Sequence, residues 1–272
     1  MWRRTTGRWS CCAADVGARL GQHFLFDPSI LDRIADAAVG GPDETVLEIG
    51  PGKGTLTRAL AVRAAQVVAI EADRRLAAAL AASSGPNVRI VAGDALEVPW
   101  PAADVVCGNI PYQITSPLLE RALRPPRPAR IVFLVQREVA DRLAAEPGGR
   151  TWGALTAGVQ LVATVERLFT VKAGAFRPKP RVDSALVRLT PRAAPLVASL
   201  EEERRVRRLI RAAFQRRRQQ LARTLHEAFG IERPEAEGLL VQVGVAPGAR
   251  VEVLPPEQLV ALARALGPRL AS

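Results

Sequence analysis

Thr45–Ile49, Val67–Ile70, Val88–Ala92 and Asp104–Gly108 are short runs dominated by Val, Ile and other apolar residues. Each stops at a glycine or a polar position: Gly50, Glu71, Gly93-Asp94 and Asn109. A β-branched run that ends this abruptly reads as a buried parallel strand whose carboxyl end opens into a site. Thr55–Leu60 follows the first run with a helical pattern, and Asp27-Pro28 opens an earlier helix, Asp27 as N-cap and Pro28 at the first helical position. Val165–Val171 and Ser184–Leu189 read as two further strands. From about Pro195 only the helical period remains. Val206, Leu209, Ile210, Ala213 and Phe214 share one face, and Leu221, Leu225 and Phe229 continue the pattern to Gly230, a C-cap. Pro234–Leu240 and Pro255–Leu266 read as two more helices. The pattern predicts an α/β, Rossmann-like body over residues 19–194, a small all-α domain over 195–272 and a basic arm over 1–18.

A chain of 272 residues is long enough for one α/β domain and a small appendage. Hydrophobic residues make up 48%, yet no apolar run approaches the roughly 18 residues of a membrane span, so a soluble protein is expected. Residues 1–18 hold arginines and tryptophans without the apolar stretch of a secretory signal; a disordered arm and an unused upstream start both remain open. Of the three cysteines, Cys107 falls in a predicted strand, while Cys11 and Cys12 are adjacent and poorly placed to bridge each other. A reducing cytoplasm fits, and no metal-ligand spacing is present. The net charge of +11, nearly all arginine, suits a polyanionic partner, although genome base composition also produces such a balance. Its distribution is more telling. Arg204–Arg218 interleaves charge with the apolar face named above, so the helix can pack and still present Arg208, Arg211, Arg216, Arg217 and Arg218 to phosphates. Glu201–Glu203, at its start, complement the helix dipole but are too few to neutralise it.

The chemistry concentrates at the strand ends. Asn109-Ile110-Pro111-Tyr112 offers an Asn side-chain oxygen and a backbone carbonyl, two acceptors for an NH2 group, with Pro111 holding the Ile110 carbonyl in extended geometry. Tyr112 adds a flat face for a base, a contact worth about 1–3 kcal/mol. The tetrapeptide is either a clamp for an amino-bearing ring or a strand followed by a Pro turn. Gly50-Pro51-Gly52-Lys53-Gly54 lets the backbone turn tightly against a ligand, with Gly50 and Gly52 closest to it. The pattern is GxGxG, and Pro51 removes an amide from the loop, which favours a nucleoside cofactor without a pyrophosphate. Glu71 is placed to accept from ribose hydroxyls. Asp94 is placed to accept from an adenine amine, with Ala95 and Leu96 adding apolar or backbone contacts. Taken singly, each acid also suits a cap or turn. Gly50, Glu71, Asp94 and Asn109 at successive tips point to S-adenosylmethionine, whose sulfonium is the electrophile while the protein supplies orientation.

With these residues in place, the chain resembles the ribosomal RNA adenine dimethyltransferases, and within them the bacterial small-subunit, kasugamycin-resistance group. The resemblance rests on Gly21–Leu25, Leu47–Gly54, Ile70–Asp73, Gly93–Leu96, Gly108–Leu119, Gln136–Leu143 and Ala175–Ala185, and runs from about Arg19 to the C-terminus. It implies a class I methyltransferase fold with a mostly parallel seven-stranded sheet, the Ser184 strand antiparallel, and a C-terminal helical domain framing an RNA cleft. It implies dimethylation of the N6 amines of two adjacent adenosines near the 3′ end of small-subunit rRNA, within an immature 30S subunit, by a monomer. Carried over by position, Gln22, His23, Leu25, Gly50, Glu71, Asp94 and Asn109 would contact the cofactor, and Tyr112 and Phe176 would sandwich an extruded adenine. Pro178 and Pro180 would stiffen the Phe176 loop, and Arg177, Lys179 and Arg181 would meet phosphates. Many members carry Asn where this chain has His23, and Tyr where it has Trp152.

Two other readings compete. Large-subunit adenine dimethyltransferases conferring macrolide resistance share the cofactor site and the Asn-Ile-Pro-Tyr clamp; the Arg-rich Phe214–Leu225 segment and Pro178–Ser184 favour the small-subunit group. Relatives that serve as assembly or transcription factors need no methyl transfer, but the presence of Glu71, Asn109 and Tyr112 favours catalysis.

Overall fold

The computed structural model describes residues 23–270. Gln22, the first eighteen residues, and with them Cys11 and Cys12, lie outside the described residues. The strands are β1 (Phe24–Leu25), β2 (Thr45–Ile49), β3 (Gln66–Glu71), β4 (Val88–Ala92), β5 (Val105–Asn109), β6 (Arg130–Gln136), β7 (Ala163–Val171), β8 (Phe176–Arg177) and β9 (Ser184–Pro191). The helices are α1 (Pro28–Ala38), α2 (Thr55–Ala61), α3 (Arg74–Ser83), α4 (Thr115–Ala122), α5 (Arg137–Leu143), α6 (Ala154–Gln160), α7 (Leu200–Gln215), α8 (Leu221–Phe229), α9 (Arg233–Gln242) and α10 (Pro256–Leu266).

Seven strands form one sheet in the order β4-β3-β2-β5-β6-β9-β7. β9 lies between β6 and β7 and runs antiparallel to both; the other pairings are parallel. β6 was not among the strands read from the sequence. Its run Ile131–Val135 is buried throughout and passes straight into α5, so no site residue marks its end. The two-residue strands β1 and β8 pair separately, Leu25 opposite Phe176.

Strand alternation divides the apolar residues into two layers. Val46, Val105, Cys107, Val132 and Leu134 join the layer under α1 and α2. Leu47, Ile49, Val106, Phe133 and Val135 join the layer on the opposite face, which continues without interruption through Val206, Leu209, Ile210 and Ala213 of α7 to Leu270. The C-terminal helices thus share the apolar core of the sheet. As expected, Asp27 caps α1 by accepting from the Ser29 and Ile30 amides, and Gly230 ends α8 at φ 66° with its N–H on the His226 carbonyl.

The arginine-rich helix differs from expectation at its end. α7 stops at Gln215, so Arg216–Arg218 lie in the turn before α8. Its first-turn acids also do more than complement a dipole. Glu202 pairs with Arg264 of α10 at 2.6 Å, and Glu203 holds both Arg127 and Arg207 at 2.8 Å. Among the described residues no helix is long and apolar enough to cross a membrane.

Candidate active site

At the carboxyl ends of β2 and β5 a pocket is lined by His23, Phe24, Gly50, Gly52 and the whole Asn109–Tyr112 tetrapeptide. The register that places Glu48 beside Cys107 sets the glycine loop next to Asn109. Asn109 is tethered at one end: its Nδ2 donates to the His23 carbonyl at 2.8 Å, which leaves Oδ1 as an acceptor. The Ile110 amide is spent on the Leu134 carbonyl at 3.1 Å, while no donor among the described residues reaches the Ile110 carbonyl. Tyr112 is partly buried, and its hydroxyl is fixed by the Ser184 hydroxyl at 3.1 Å, at the start of β9. Burial raises the Tyr112 pKa above its ordinary value, so the ring stays neutral. Two acceptors and a neutral aromatic face therefore meet in one pocket, the arrangement an exocyclic amine on a flat ring requires.

The loop beside it turns through Gly50, Gly52 and Gly54, all at positive φ. Gly52 has a second reason to lack a side chain: a Cβ there would lie 2.7 Å from the Phe24 ring. Glu71, 1% exposed, accepts from the Gly52 amide at 2.8 Å and the Asp73 amide at 2.9 Å, tying the loop to the tip of β3. Each of its oxygens keeps one further lone pair. Glu48, two residues before the loop and also 1% exposed, was not singled out in the sequence. Burial pushes its pKa up to about 8; the Glu71 charge adds to the rise, while the Arg58 charge opposes it. Its Oε2 and the Thr57 hydroxyl have no partner among the described residues. An orphaned buried acceptor, open space where a Cβ of Gly50 would stand, and acids at two neighbouring strand tips fit a cofactor that is part nucleoside and part amino acid.

Several expected contacts are placed elsewhere. Phe176 is fully buried in the layer under α1 and α2, held there by the pairing of β8 with β1, so it presents no face to the pocket. The ring beside Tyr112 is His23, with centroids 5.8 Å apart, and His23 Nδ1 bonds the Pro178 carbonyl at 2.7 Å. Leu25 also points into the core; strand alternation turns its neighbour Phe24 to the pocket instead, a residue the sequence reading passed over. Asp94 is exposed and caps its own turn by accepting from the Leu96 amide at 2.8 Å, while Ala95 is buried with its carbonyl on Trp100 Nε1. Asp94, Ala95 and Glu71 sit at adjacent strand ends but do not line the pocket of Asn109.

The expected phosphate contacts divide in the same way. Lys179, Arg181, Arg211 and Arg218 are exposed and have no acidic partner among the described residues. Arg177 is exposed and lies over the Phe26 ring at 4.8 Å. Arg208, Arg216 and Arg217 are not free. Arg208 donates to the Leu270 carbonyl, Arg216 pairs with Glu227 at 3.0 Å, and Arg217 pairs with Glu252 at 2.8 Å while also bonding the Gly149 and Arg150 carbonyls. The carboxylates that neutralise Arg216 and Arg217 come from other elements, and a count of acids near Arg204–Arg218 misses them.

Residues 15–266 match the ribosomal RNA adenine dimethylase family. A ribosomal RNA small subunit methyltransferase A from Myxococcus xanthus is 42% identical over 255 residues, covering 91% of this chain and 90% of that protein. Among solved structures, a dimethyladenosine transferase from Plasmodium falciparum superposes with a TM-score of 0.79 at 27% identity, over 91% of this chain and 98% of that one. The 23S rRNA methyltransferase ErmE superposes with a TM-score of 0.72 at 35% identity, over 89% and 99%.

Proposed function

Because the chain belongs to the ribosomal RNA adenine dimethylase family, we propose that it dimethylates the N6 amines of two adjacent adenosines in the 3′-terminal hairpin loop of small-subunit rRNA. The protein is an S-adenosylmethionine-dependent rRNA methyltransferase. The observation that carries the substrate reading is the tethered Asn109: with Nδ2 held by His23, Oδ1 and the free Ile110 carbonyl are two acceptors beside the Tyr112 ring.

S-adenosylmethionine supplies an electrophilic methyl group on a sulfonium. The glycine loop, with Glu48, Glu71 and Asp94, is assigned to hold it. The rest of the task is orientation. An adenine amine is a weak nucleophile because its lone pair is delocalised into the ring. Accepting both N–H bonds at Asn109 Oδ1 and the Ile110 carbonyl draws that lone pair out of conjugation and aims it at the methyl group. Tyr112 supports one face of the extruded base, which must leave its stack to be reached. Among the residues lining the pocket, His23 is the one imidazole, and its Nδ1 already faces the Pro178 carbonyl, so the displaced proton is assigned to water. After the first transfer one N–H remains, and a single acceptor suffices to hold the amine for the second.

The substrate is assigned to an immature small subunit, acted on by a monomer in the cytoplasm. The likeness to ErmE gives a second reading, methylation of large-subunit RNA. Labelled methyl transfer to small subunits lacking the modification, with mature small subunits and large subunits as controls, separates the two. Label in dimethyladenosine of the immature small subunits alone is the expected result; label in large-subunit RNA overturns it.

A further inference from the structure

Away from the pocket, α4 and α7 enclose a groove of about 550 Å3 lined by Glu120, Arg124, Glu203, Arg204, Arg207 and Arg211. The sequence builds it from two helix faces. Ser116, Glu120 and Arg124 recur at i, i+4 and i+8 along α4 and just past its end, and Arg204, Arg207 and Arg211 at i, i+3 and i+7 along α7. A smaller cavity of about 200 Å3 shares Glu120, Arg207 and Arg211 with it and extends to Ser116, four residues beyond Tyr112.

The arginines here are not equivalent. Arg207 is a fixed part of the wall: Glu203 binds it at 2.8 Å and binds Arg127 as well, and Gly158 of α6 leaves its guanidinium room, since a Cβ there would lie 2.9 Å away. Arg124, Arg204 and Arg211 are exposed and have no acidic partner among the described residues. Glu120 is the single exposed carboxylate lining the groove. Elsewhere in the same segment Arg205, Arg216 and Arg217 are each matched by a glutamate. Three unmatched guanidiniums around one concavity repel one another and favour a ligand that carries regularly spaced negative charge. Their planar forks suit phosphate oxygens.

We propose that this groove binds the phosphate backbone of an rRNA segment adjoining the one that enters the methyl-transfer pocket. The inference rests on the rRNA reading above. The smaller cavity that begins at Ser116 gives a path: a strand running along α4 from Ser116 meets Arg211 first and then Arg124 and Arg204 in the larger groove.

The test is binding of the whole protein to naked small-subunit rRNA and to unmodified small subunits across a salt series, with Arg124→Gln/Arg204→Gln against Arg74→Gln/Arg75→Gln. The second pair removes the same charge from exposed positions on α3. Expected for the groove pair is about a tenfold loss of affinity at low salt and a log-log salt slope shallower by about 1.4–1.8, at 0.7–0.9 for each lost phosphate contact. The maximal rate at saturating substrate stays unchanged, and Arg124→Lys/Arg204→Lys restores the slope. Equal slopes for the two Gln pairs, in a protein that still methylates rRNA, overturn the groove and leave the methylation reading intact. A loss confined to protein-containing subunits transfers the groove to a ribosomal protein and also overturns the proposal. Absence of methylation of any rRNA by the unaltered protein removes the premise itself.

Discussion

Asn109 can present an acceptor because its other end is occupied: the His23 carbonyl takes Nδ2, so the amide cannot rotate without giving up that bond. Asn109→Ala is therefore expected to slow single-turnover methyl transfer about a hundredfold, the typical cost of losing a positioned group. Cofactor binding measured by calorimetry should fall much less. Glu48 makes a different prediction at this scale. Its ordinary pKa is 4.5 and burial raises it to about 8 in the folded protein, so the folded state holds a proton that the unfolded chain has released between those values. The stability this contributes is fully present below about pH 4.5 and is lost as pH rises through about 8. Urea titrations from pH 5 to 9 should show the unaltered protein losing stability relative to Glu48→Gln, by up to a few kcal/mol. Asn109 and Tyr112 were legible from their tetrapeptide. Phe24 and Glu48 were not, because an aromatic in a short strand and an acid inside an apolar run carry no local mark of a site.

At the scale of elements, two glycines with nearly the same φ separate backbone strain from packing. Gly230 at the end of α8 has open space where a Cβ would stand, so Gly230→Ala should cost only the left-handed penalty, about 1–2 kcal/mol. Gly52→Ala carries the same penalty and adds the collision with Phe24, so its denaturation midpoint should fall further and cofactor affinity should drop with it. Helix α7 offers a second contrast. Glu203→Gln leaves Arg127 and Arg207 without their shared carboxylate and is expected to cost about 2–4 kcal/mol in chemical denaturation. Glu201→Gln, which loses only an exposed contact to Arg205 at 3.4 Å, should change stability by less than about 0.5 kcal/mol. Helices α1, α2 and α7–α10, and all but one strand of the seven-stranded sheet, were legible from local pattern, whereas α3, α4, α5 and α6 were not. β6 escaped because an unbroken apolar run that passes directly into a helix has no polar residue to mark its end.

For the whole molecule, the net charge of +11 indicates a polyanionic partner, but the fold decides which charges are available. Arg217 and Arg218 are neighbours in sequence with opposite expected behaviour. Arg217→Ala should lower stability by about 1 kcal/mol, because it breaks contacts to Glu252 and two carbonyls. Arg218→Ala should leave stability unchanged while weakening rRNA binding and flattening its salt dependence, measured by the same titration used for the groove. By itself the sequence determined the α/β body, the glycine loop, the order of the strand tips and the Asn109–Tyr112 segment that follows β5. Those are properties of consecutive residues, set by apolar period and by what Gly, Pro and Asn do to the local backbone. Only the tertiary structure decided that Phe176 is core, that Glu71 holds the loop, that His23 tethers Asn109 and which arginines are neutralised. The loop tie, the Asn109 tether and the pairing of Arg216 and Arg217 depend on partners 11 to 86 residues away, and the burial of Phe176 on the pairing of β1 with β8. Burial and charge pairing are set by which atoms come within a few ångströms, and chain order does not encode that distance.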